Sequence, residues 1–318
     1  MTSSISRRAF LGTAVAAGVG LAAHSSHAQK RTIKMTVNLS CGRIGVSAGQ
    51  EEAIALAKAY GFQSVDPVAG YLAKLEDSAL ATLRDRMKAD GIVWAAGDAP
   101  VNFRNDDAAF REGMKRLPDV AKALQRAGVD RVGTWLMFGN DELTYKQYGS
   151  LMTKRLREMA DVLGDHGLRF GLEYVGTWSA WSSVKHPWVH TMAETLELIE
   201  DIGRPNVGLV LDSWHWYHAQ ESADDINALK NEQVVVVDLN DGSAGLDRKA
   251  MQDTTRELPA ATGVIDVGAF LTALADIGFD GPVRAEPFSA ALNAMDNEDA
   301  VAATAAAMKK AFAQIAQN

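Results

Sequence analysis

The stretch YGSLMTKRLREMADVLGDHG followed by LRFGLEYV, residues 148–175, contains the unit from which the fold can be read. Apolar side chains recur at helical spacing through residues 148–167, and the segment ends at Gly167, where a helix C-terminus commonly needs a positive φ. The short apolar run at residues 168–175 then has the length of a buried strand. A helix, a glycine and a strand in this order predict a parallel β/α unit.

The same unit recurs along the chain. We predict strands at residues 32–39, 62–67, 92–97, 130–136, 168–175, 207–212, 234–241 and 282–288. Helical patterns occupy residues 51–61, 75–91, 109–128, 148–167, 190–203 and 267–278, and glycines stand at Gly61, Gly91, Gly128, Gly167 and Gly278. Eight strands separated by helices predict an α/β fold of the (β/α)8 TIM-barrel type. An open, doubly wound sheet is the alternative, and it is disfavoured because no glycine-rich phosphate-binding fingerprint follows a strand.

The first 28 residues have the features of an export signal. SISRRAFLG at residues 4–12 contains an arginine pair of the twin-arginine type, and the apolar run at residues 13–23 is followed by a small residue, Ala28, at a suitable cleavage position. The run has only 11 residues, whereas a membrane anchor must span about 30 Å. We therefore predict cleavage, a periplasmic or secreted location and no stable membrane association. Residues 29–318 contain no linker and are predicted to form one catalytic barrel domain.

Charge and cysteine content limit the functions open to the chain. The formal net charge is −8, which disfavours a nucleic acid partner because phosphate binding needs clustered Lys and Arg. Cys41 is the single cysteine, so the chain can form no internal disulfide, and we expect this thiol to pack as a small apolar group.

Acidic residues stand near the ends of the last four predicted strands: Glu173, Asp212, Asp238 and Glu286. The C-terminal ends of barrel strands converge on one mouth, where active sites of this fold lie. Four carboxylates in one mouth need a cation if all are to stay ionised, and oxygen ligands suit Mg²⁺ or Mn²⁺. A single acid at a strand end is more often a helix cap or an ion-pair partner, but four on successive strands favour a shared metal site.

Further candidates lie near the same strand ends. His215 follows Asp212 by three residues, and Arg256 belongs to the long polar segment 241–263. Trp178 and Trp214 have the character of an aromatic wall for a sugar, although ordinary packing explains a single Trp equally well. Additional residues of this kind are Trp181, Trp216, His186, His190 and His218. Arg284 stands two residues before Glu286 and is expected to balance charge inside the barrel.

These motifs resemble those of the sugar phosphate isomerase/epimerase family, the xylose isomerase-like or AP endonuclease 2-like barrels. The matching pieces are GLE ending at Glu173, LDSWH at 211–215, VDLNDG at 237–242 and the C-terminal stretch 265–288. The resemblance covers the barrel and is most specific in its second half. It implies one divalent metal ion, Mn²⁺ or Mg²⁺, held by Glu173, Asp212, Asp238 and Glu286.

The resemblance also implies roles for individual residues. Glu173 and Glu286 match the two glutamates that remove and return a proton on opposite faces of the substrate carbon, and His215 and Arg256 match substrate-contacting positions. One departure concerns Asp238, because the family usually has His at this position. Another is PAATG at residues 259–263, which replaces a glycine-rich turn.

The function expected from the resemblance is metal-dependent isomerisation or epimerisation of a sugar or sugar-like keto compound through an enediolate. A lyase or dehydratase that acts on a keto-sugar or 3-keto-glycoside by β-elimination shares the first half-reaction. An exported, non-catalytic carbohydrate-binding barrel is the alternative from another class. In each case the partner is a small carbohydrate, and the sequence leaves open the sugar, the metal and whether the chain forms a homo-oligomer.

Overall fold

The computed structural model describes residues 32–104 and 106–316. The predicted signal peptide, residues 1–28, lies outside the described residues, and export stays a prediction. Barrel strands in chain order are Thr36–Leu39, Ser64–Val65, a third strand in two parts (Val93–Trp94 and Gly97–Asp98), Arg131–Trp135, Arg169–Glu173, Val207–Asp212, Val234–Leu239 and Pro282–Ala285. They are called the first to the eighth strand below. All eight fall inside the segments predicted from the sequence, apart from Asp98 at the end of the third.

The third strand closes the barrel. The strands form one sheet whose neighbours are all parallel, and Val93–Trp94 lies at one end of that sheet while Gly97–Asp98 lies at the other. Val93–Trp94 pairs with the second strand, and Gly97–Asp98 pairs with the fourth. Since both parts belong to a single stretch of chain, the sheet returns on itself as a TIM barrel.

Helices connect consecutive strands on the outside. The longer ones are Gln50–Tyr60, Asp77–Ala89, Asp107–Ala127, Tyr145–Asp165, Met192–Ile202, Val267–Asp276 and Asn297–Phe312. Short helices are Ala69–Leu72, Trp178–Trp181, Ser213–His218, Ala223–Asn227 and Ala290–Asn293. All five glycines predicted at helix ends have positive φ, between 70° and 83°. The helices after the sixth and eighth strands were not predicted from the sequence.

Small residues allow the strands to close tightly around the barrel interior. A Cβ added at Gly171 would lie 2.8 Å from Val210 Cγ2, and one added at Gly133 would lie 3.2 Å from the same methyl group. Val210, Val235, Val236 and Ala96 form a separate buried apolar cluster. The interior below the mouth is therefore filled with side chains, as is typical of this fold.

Two short antiparallel ladders form at the mouth of the barrel. Gly139–Asn140 pairs with His186–Pro187, and Asp241–Gly242 pairs with Arg256–Glu257. The second ladder folds the long segment after the seventh strand back over the mouth. The Asp241 carboxylate fixes this fold because it accepts hydrogen bonds from the backbone N–H groups of Gly242, Thr262, Gly263 and Ile265 at 2.7–2.9 Å.

Among the described residues, no helix combines the length and the apolar character needed to cross a membrane.

A half-buried acid, Glu221, links the end of the fifth strand to the helix that follows it. Glu221 accepts a hydrogen bond from the Tyr174 hydroxyl and another from Met192 N at 2.7 Å. Burial raises the pKa of Glu221 to about 7, well above the ordinary 4.5. The folded protein therefore favours the protonated carboxyl, whose stabilising contribution is full below about pH 4.5 and is lost as the pH rises through about 7.

We expect Glu221→Gln to remove this pH dependence, because the amide stays neutral. Relative to the unaltered protein, the variant should gain roughly 1–3 kcal/mol in the free energy of unfolding between pH 5 and pH 8. Urea denaturation of both proteins at the two pH values measures the difference. An equal change with pH in both proteins would show that Glu221 stays ionised in the fold.

Candidate active site

A cavity of about 520 Å³ opens at the C-terminal ends of the barrel strands. Charged and polar side chains that line it include Arg43, Arg104, Glu173, His215, Arg256 and Glu286. The cavity thus lies at the end of the barrel where enzymes of this fold have their active sites, and the segment predicted to be functional, 241–263, contributes Asp253 and Arg256 to its wall.

The four acids predicted from the sequence meet beside this cavity. Glu173, Asp212, Asp238 and Glu286 are all buried. Two groups have ligand atoms within 4.8 Å of one another: Glu173 with Asp212 and His215, and Glu173 with Asp238 and Glu286. Parallel strand pairing produces this proximity, because Asp238 is the register partner of Asp212 on one side and of Arg284 on the other.

Asp212 has two separate roles in the structure. Its Oδ1 accepts hydrogen bonds from Trp214 N and from Asn240 Nδ2, both at 2.8 Å, so it caps the helix Ser213–His218. Its Oδ2 accepts from Arg256 Nη1 at 2.8 Å. The capping interpretation of an acid at a strand end therefore holds for one oxygen, while the other faces the cluster.

Arg256 places its guanidinium among the acids. Nη1 donates to Asp212 Oδ2 and to Glu286 Oε2 at 2.8 and 2.9 Å, and Nη2 donates to Asp253 Oδ1 at 3.1 Å. Glu286 also forms an ion pair with Arg43 through its other oxygen. Both oxygens of Glu286 are therefore engaged by arginines, and much of the cluster's negative charge is neutralised by the chain itself.

Asp238 is paired within the barrel. Arg284 Nε donates to Asp238 Oδ1 at 2.5 Å and Nη2 donates to Oδ2 at 3.1 Å. The guanidinium of Arg284 holds the pKa of Asp238 below its ordinary value despite the burial. The expectation that Arg284 balances charge inside the barrel thus matches the geometry, and both oxygens of Asp238 are bound to this cation.

Glu173 is the acid with an uncompensated oxygen. Its Oε1 is buried and has no hydrogen-bond partner among the described residues; the nearest cationic or imidazole nitrogen paired with it is His215 Nε2 at 3.7 Å. Burial, reinforced by the charges of Asp238 and Asp212, raises the pKa of Glu173 well above its ordinary value. Glu173 and Glu286 consequently differ, since only Glu173 has an oxygen available for a new partner.

His215 stands in the cluster as a neutral ring. Burial, followed by the nearby Arg256, lowers its pKa well below 6.5. Gly176 N lies 3.3 Å from Nδ1, and Arg256 Nη2 lies 3.3 Å from Nε2. A neutral imidazole has one acceptor nitrogen, so only one of these contacts can be a hydrogen bond at a time. Arg256 Nε is also buried without a partner among the described residues, so the hydrogen-bonding capacity of this guanidinium is not fully used.

The expected tryptophan wall is not where it was predicted. Trp214 is fully buried and donates its indole N–H to Thr177 Oγ1 at 3.0 Å. It therefore packs beneath the mouth and does not line the cavity. Trp178 is exposed on the short helix Trp178–Trp181 and also lies outside the cavity wall. The aromatic residues that line the cavity are Trp135, Phe138 and Phe288.

Two cavity arginines were missed by sequence reasoning. Arg43 follows the first strand in CGRIG, and Arg104 follows the third in VNFRND. The rule applied to the acids, that residues after a strand converge on the mouth, extends to these arginines as well. Both stand several residues beyond the strand end, where chain direction cannot be read from a sequence pattern.

The acidic cluster can hold a metal ion, and the donor set supports this. Glu173 Oε1 is a buried, unpartnered oxygen, and carboxylate oxygens with one neutral imidazole suit a divalent cation. The limiting feature is Arg256, whose guanidinium bridges Asp212 and Glu286. Two cations at this position would repel each other, so a bound ion requires Arg256 to move.

A model of the xylose isomerase-like TIM barrel family matches residues 54–311. The chain belongs to this family, as the resemblance of its motifs implied.

Curated relatives are enzymes that act on small sugar-like compounds. Over 217 residues the chain is 26% identical to inosose isomerase of Bacillus velezensis, a match covering 67% of this chain and 74% of the relative. It is 24% identical over 237 residues to D-psicose 3-epimerase of Agrobacterium fabrum, with 72% and 75% covered. A third match, 26% over 192 residues, is to 3-dehydroshikimate dehydratase of Pseudomonas aeruginosa and covers 59% of this chain and 28% of that protein.

Solved structures share the fold over nearly the whole described chain. A xylose isomerase domain protein from Alicyclobacillus acidocaldarius subsp. acidocaldarius superposes with a TM-score of 0.76 at 30% identity, covering 88% of this chain and 99% of that one. The IOLI protein with a bound zinc atom has a TM-score of 0.72 at 20% identity, with 89% and 99% covered. The zinc atom of that relative shows that a divalent metal ion binds in a barrel of this fold.

The buried pair of Asp238 and Arg284 yields a stability prediction. Asp238→Ala should lower the free energy of unfolding by about 3–5 kcal/mol, because it leaves the Arg284 guanidinium buried without its carboxylate. The double variant Asp238→Ala/Arg284→Met should recover a large part of that loss, since no unpaired charge remains. Urea denaturation measures both.

The matched control is Glu112→Ala, which breaks an exposed pair with Lys115 and should cost less than about 1 kcal/mol. If Asp238→Ala lowers the free energy of unfolding no more than this control does, the pair of Asp238 and Arg284 contributes less to stability than predicted.

Proposed function

We propose that the chain is an isomerase or epimerase of a sugar-like keto compound, and that its reaction starts with removal of a proton next to the carbonyl. The observation that carries the proposal is the buried, unpartnered Oε1 of Glu173 beside a cavity lined by guanidinium groups. Family membership and the named activities of the relatives support the same reaction class.

Glu173 is the proposed base. Its free oxygen can accept a proton from a carbon held in the cavity, while its raised pKa brings it closer to the range in which a carboxylate removes protons effectively. The C–H electron pair then moves toward the carbonyl, and negative charge develops on the carbonyl oxygen as an enediolate forms.

Nearby donors can stabilise that charge. Arg43 and Arg256 both line the cavity, and the neutral ring of His215 can donate from Nε2 when Nδ1 accepts from Gly176 N. Return of the proton to the opposite face of the same carbon gives an epimer. Return to the neighbouring carbon, with transfer of the hydroxyl proton from one enediolate oxygen to the other, converts an aldose into a ketose or the reverse. We assign this second transfer to Glu286, which directly follows the eighth strand.

A divalent ion would be held by Glu173 and Asp212, with His215, Asp238 and Glu286 as the further donors. When bound, it polarises the substrate carbonyl. We propose Mn²⁺ or Mg²⁺ because most of the donors are carboxylate oxygens. Of these donors, Asp238 is the least available because both of its oxygens are bound to Arg284.

A dehydratase is the second candidate, and one observation favours it. Both oxygens of Glu286 are held by Arg43 and Arg256, so the opposite face of the substrate lacks a free carboxylate to return the proton. Loss of a β-hydroxyl after deprotonation by Glu173 needs no such return. A 3-dehydroshikimate dehydratase among the relatives supports this alternative.

We expect the protein to exchange hydrogen at the carbon next to the carbonyl with solvent deuterium. D-psicose, D-fructose and an inosose in deuterium oxide are suitable probes, followed by nuclear magnetic resonance. Glu173→Gln should slow the exchange by about 10²–10⁴-fold, because the amide cannot accept the proton. The products separate the two candidates: an epimer or isomer retains all atoms, whereas a dehydratase releases water and forms a conjugated carbonyl.

Glu197→Gln, an exposed substitution on the helix Met192–Ile202, serves as the control and should exchange at the unaltered rate. Exchange that persists in Glu173→Gln would refute Glu173 as the base.

We also expect Arg256→Gln to bind a divalent ion more tightly than the unaltered protein, by about tenfold or more. The variant removes a cation that occupies Asp212 and Glu286 and must otherwise be displaced. Calorimetric titration with Mn²⁺ measures the affinity without depending on turnover.

Arg248→Gln removes the same charge from the same long segment outside the cavity and should leave the Mn²⁺ affinity unchanged. Equal or weaker binding by Arg256→Gln would mean that the guanidinium and the ion do not compete.

A further inference from the structure

Arg104 is held rigidly at the cavity wall by uncharged partners. Its Nε donates to the backbone oxygen of Trp135 at 2.9 Å, and its Nη2 donates to that oxygen and to Thr134 Oγ1, the latter at 2.7 Å. The guanidinium also stacks on two rings, 4.0 Å from the Trp135 centroid and 4.4 Å from that of Phe103. These contacts fix one edge of the group and leave Nη1 without a partner among the described residues.

Arg104 forms no ion pair among the described residues, although the charge of Glu173 lies near enough to favour its charged form. The other three arginines of the cavity wall all form ion pairs: Arg43 with Glu286, Arg256 with Asp212, Asp253 and Glu286, and Arg284 with Asp238. In the described part of the chain, no carboxylate lies within the 4.0 Å ion-pair distance of Arg104. Burial lowers its pKa to about 10, so the guanidinium still carries its charge at neutral pH.

Strand register places this cation close to the proposed base. Trp135, whose backbone oxygen binds Arg104, is the register partner of Glu173, and Leu136 N donates to Glu173 O at 2.7 Å. Adjacent strands are about 4.8 Å apart. A substrate a few carbons long can therefore contact Glu173 at its reacting carbon and Arg104 at another group.

We propose that Arg104 binds an anionic group of the substrate, so that the substrate class is a keto-sugar acid or a keto-sugar phosphate rather than a neutral sugar. This inference rests on the proposed function, because it takes Glu173 to mark the reacting carbon. A fixed guanidinium with one free edge suits a carboxylate or phosphate oxygen, and the aromatic surfaces of Trp135 and Phe103 limit its competition with water.

Binding of an anion would also lower the free-energy cost of burying Arg104 in the unliganded protein. A partly buried cation that has lost hydration and has no carboxylate in direct contact is unfavourable. Its three hydrogen bonds to two neutral oxygens and its ring contacts offset that cost only in part. An anionic substrate supplies the missing counter-charge when it binds.

Three ketoses that differ at one position test the proposal: D-fructose, D-fructuronate and D-fructose 6-phosphate, which end in a hydroxymethyl, a carboxylate and a phosphate group. Their dissociation constants are measured by calorimetry for the protein and for Arg104→Gln. We expect one or both anions to bind at least tenfold more tightly than fructose. Arg104→Gln should weaken that anion by about 10- to 100-fold and leave fructose unchanged. The anion preferred distinguishes a carboxylate from a phosphate.

Two further variants sharpen the test. Arg116→Gln removes one exposed arginine on the helix Asp107–Ala127 and should leave all three affinities unchanged. Arg104→Lys keeps the charge but loses the planar edge, so it should retain part of the preference.

Equal binding of fructose and both anions, a preference that survives in Arg104→Gln, or no binding of any of the three would overturn the proposal. Deuterium exchange at the carbon next to the carbonyl is followed in the same samples. Exchange without anion preference refutes the Arg104 subsite and leaves the proposed function standing. Anion preference without exchange refutes the proposed function and leaves Arg104 as an anion-binding residue.

Discussion

The pairing of buried carboxylates with buried guanidinium groups is the constraint on which the barrel mouth depends. Glu173, Asp212, Asp238 and Glu286 converge there because parallel strands end together, and no barrel interior can hold four such charges uncompensated. Arg43, Arg256 and Arg284 supply three positive charges from three parts of the chain. What remains is one carboxylate, Glu173, with an oxygen that no described residue satisfies, and chemistry is expected where that imbalance lies.

The pairing also separates the acids into different kinds of group. Asp238 and Arg284 are register partners deep in the strands, so their bond belongs to the scaffold. Arg256 comes from the segment after the seventh strand. Its two Nη atoms contact Asp212, Glu286 and Asp253, whereas its Nε has no partner among the described residues. One ion pair therefore lies between two strands of the sheet, whereas the other is contributed by a segment that folds back over the mouth.

Much of the architecture followed from local patterns. Apolar runs of strand length and glycines at helix ends predicted all eight strands, since both features depend on neighbours in the chain. The same logic located the four acids, because strand ends converge in a barrel. It did not reveal that Arg256 bridges two of them. This contact depends on the ladder between Asp241–Gly242 and Arg256–Glu257, which brings together the two ends of an irregular segment.

The sequence did not reveal which aromatic residues line the cavity, for a related reason. Trp214 and Trp135 both stand near strand ends, and nothing in their neighbouring residues tells which one faces the cavity. The direction of Trp214 is set by its bond to Thr177 on another connection, and that of Trp135 by the stacked Arg104. Side-chain direction beyond a strand end is a tertiary property, so the sequence alone leaves it undetermined.

The carboxylate of Asp241 binds four backbone N–H groups, and three of them lie in residues 262–265, beyond Arg256. Both ends of the segment between Gly242 and Thr262 are therefore held by Asp241. Arg256 is held close to Asp241 because it pairs with Gly242 in the short ladder. The largely exposed residues 244–250 can then vary in length or composition without displacing the arginine. The exposed part of this segment can therefore change, and with it the molecules that enter the cavity, while Arg256 and the acids that it binds keep their positions.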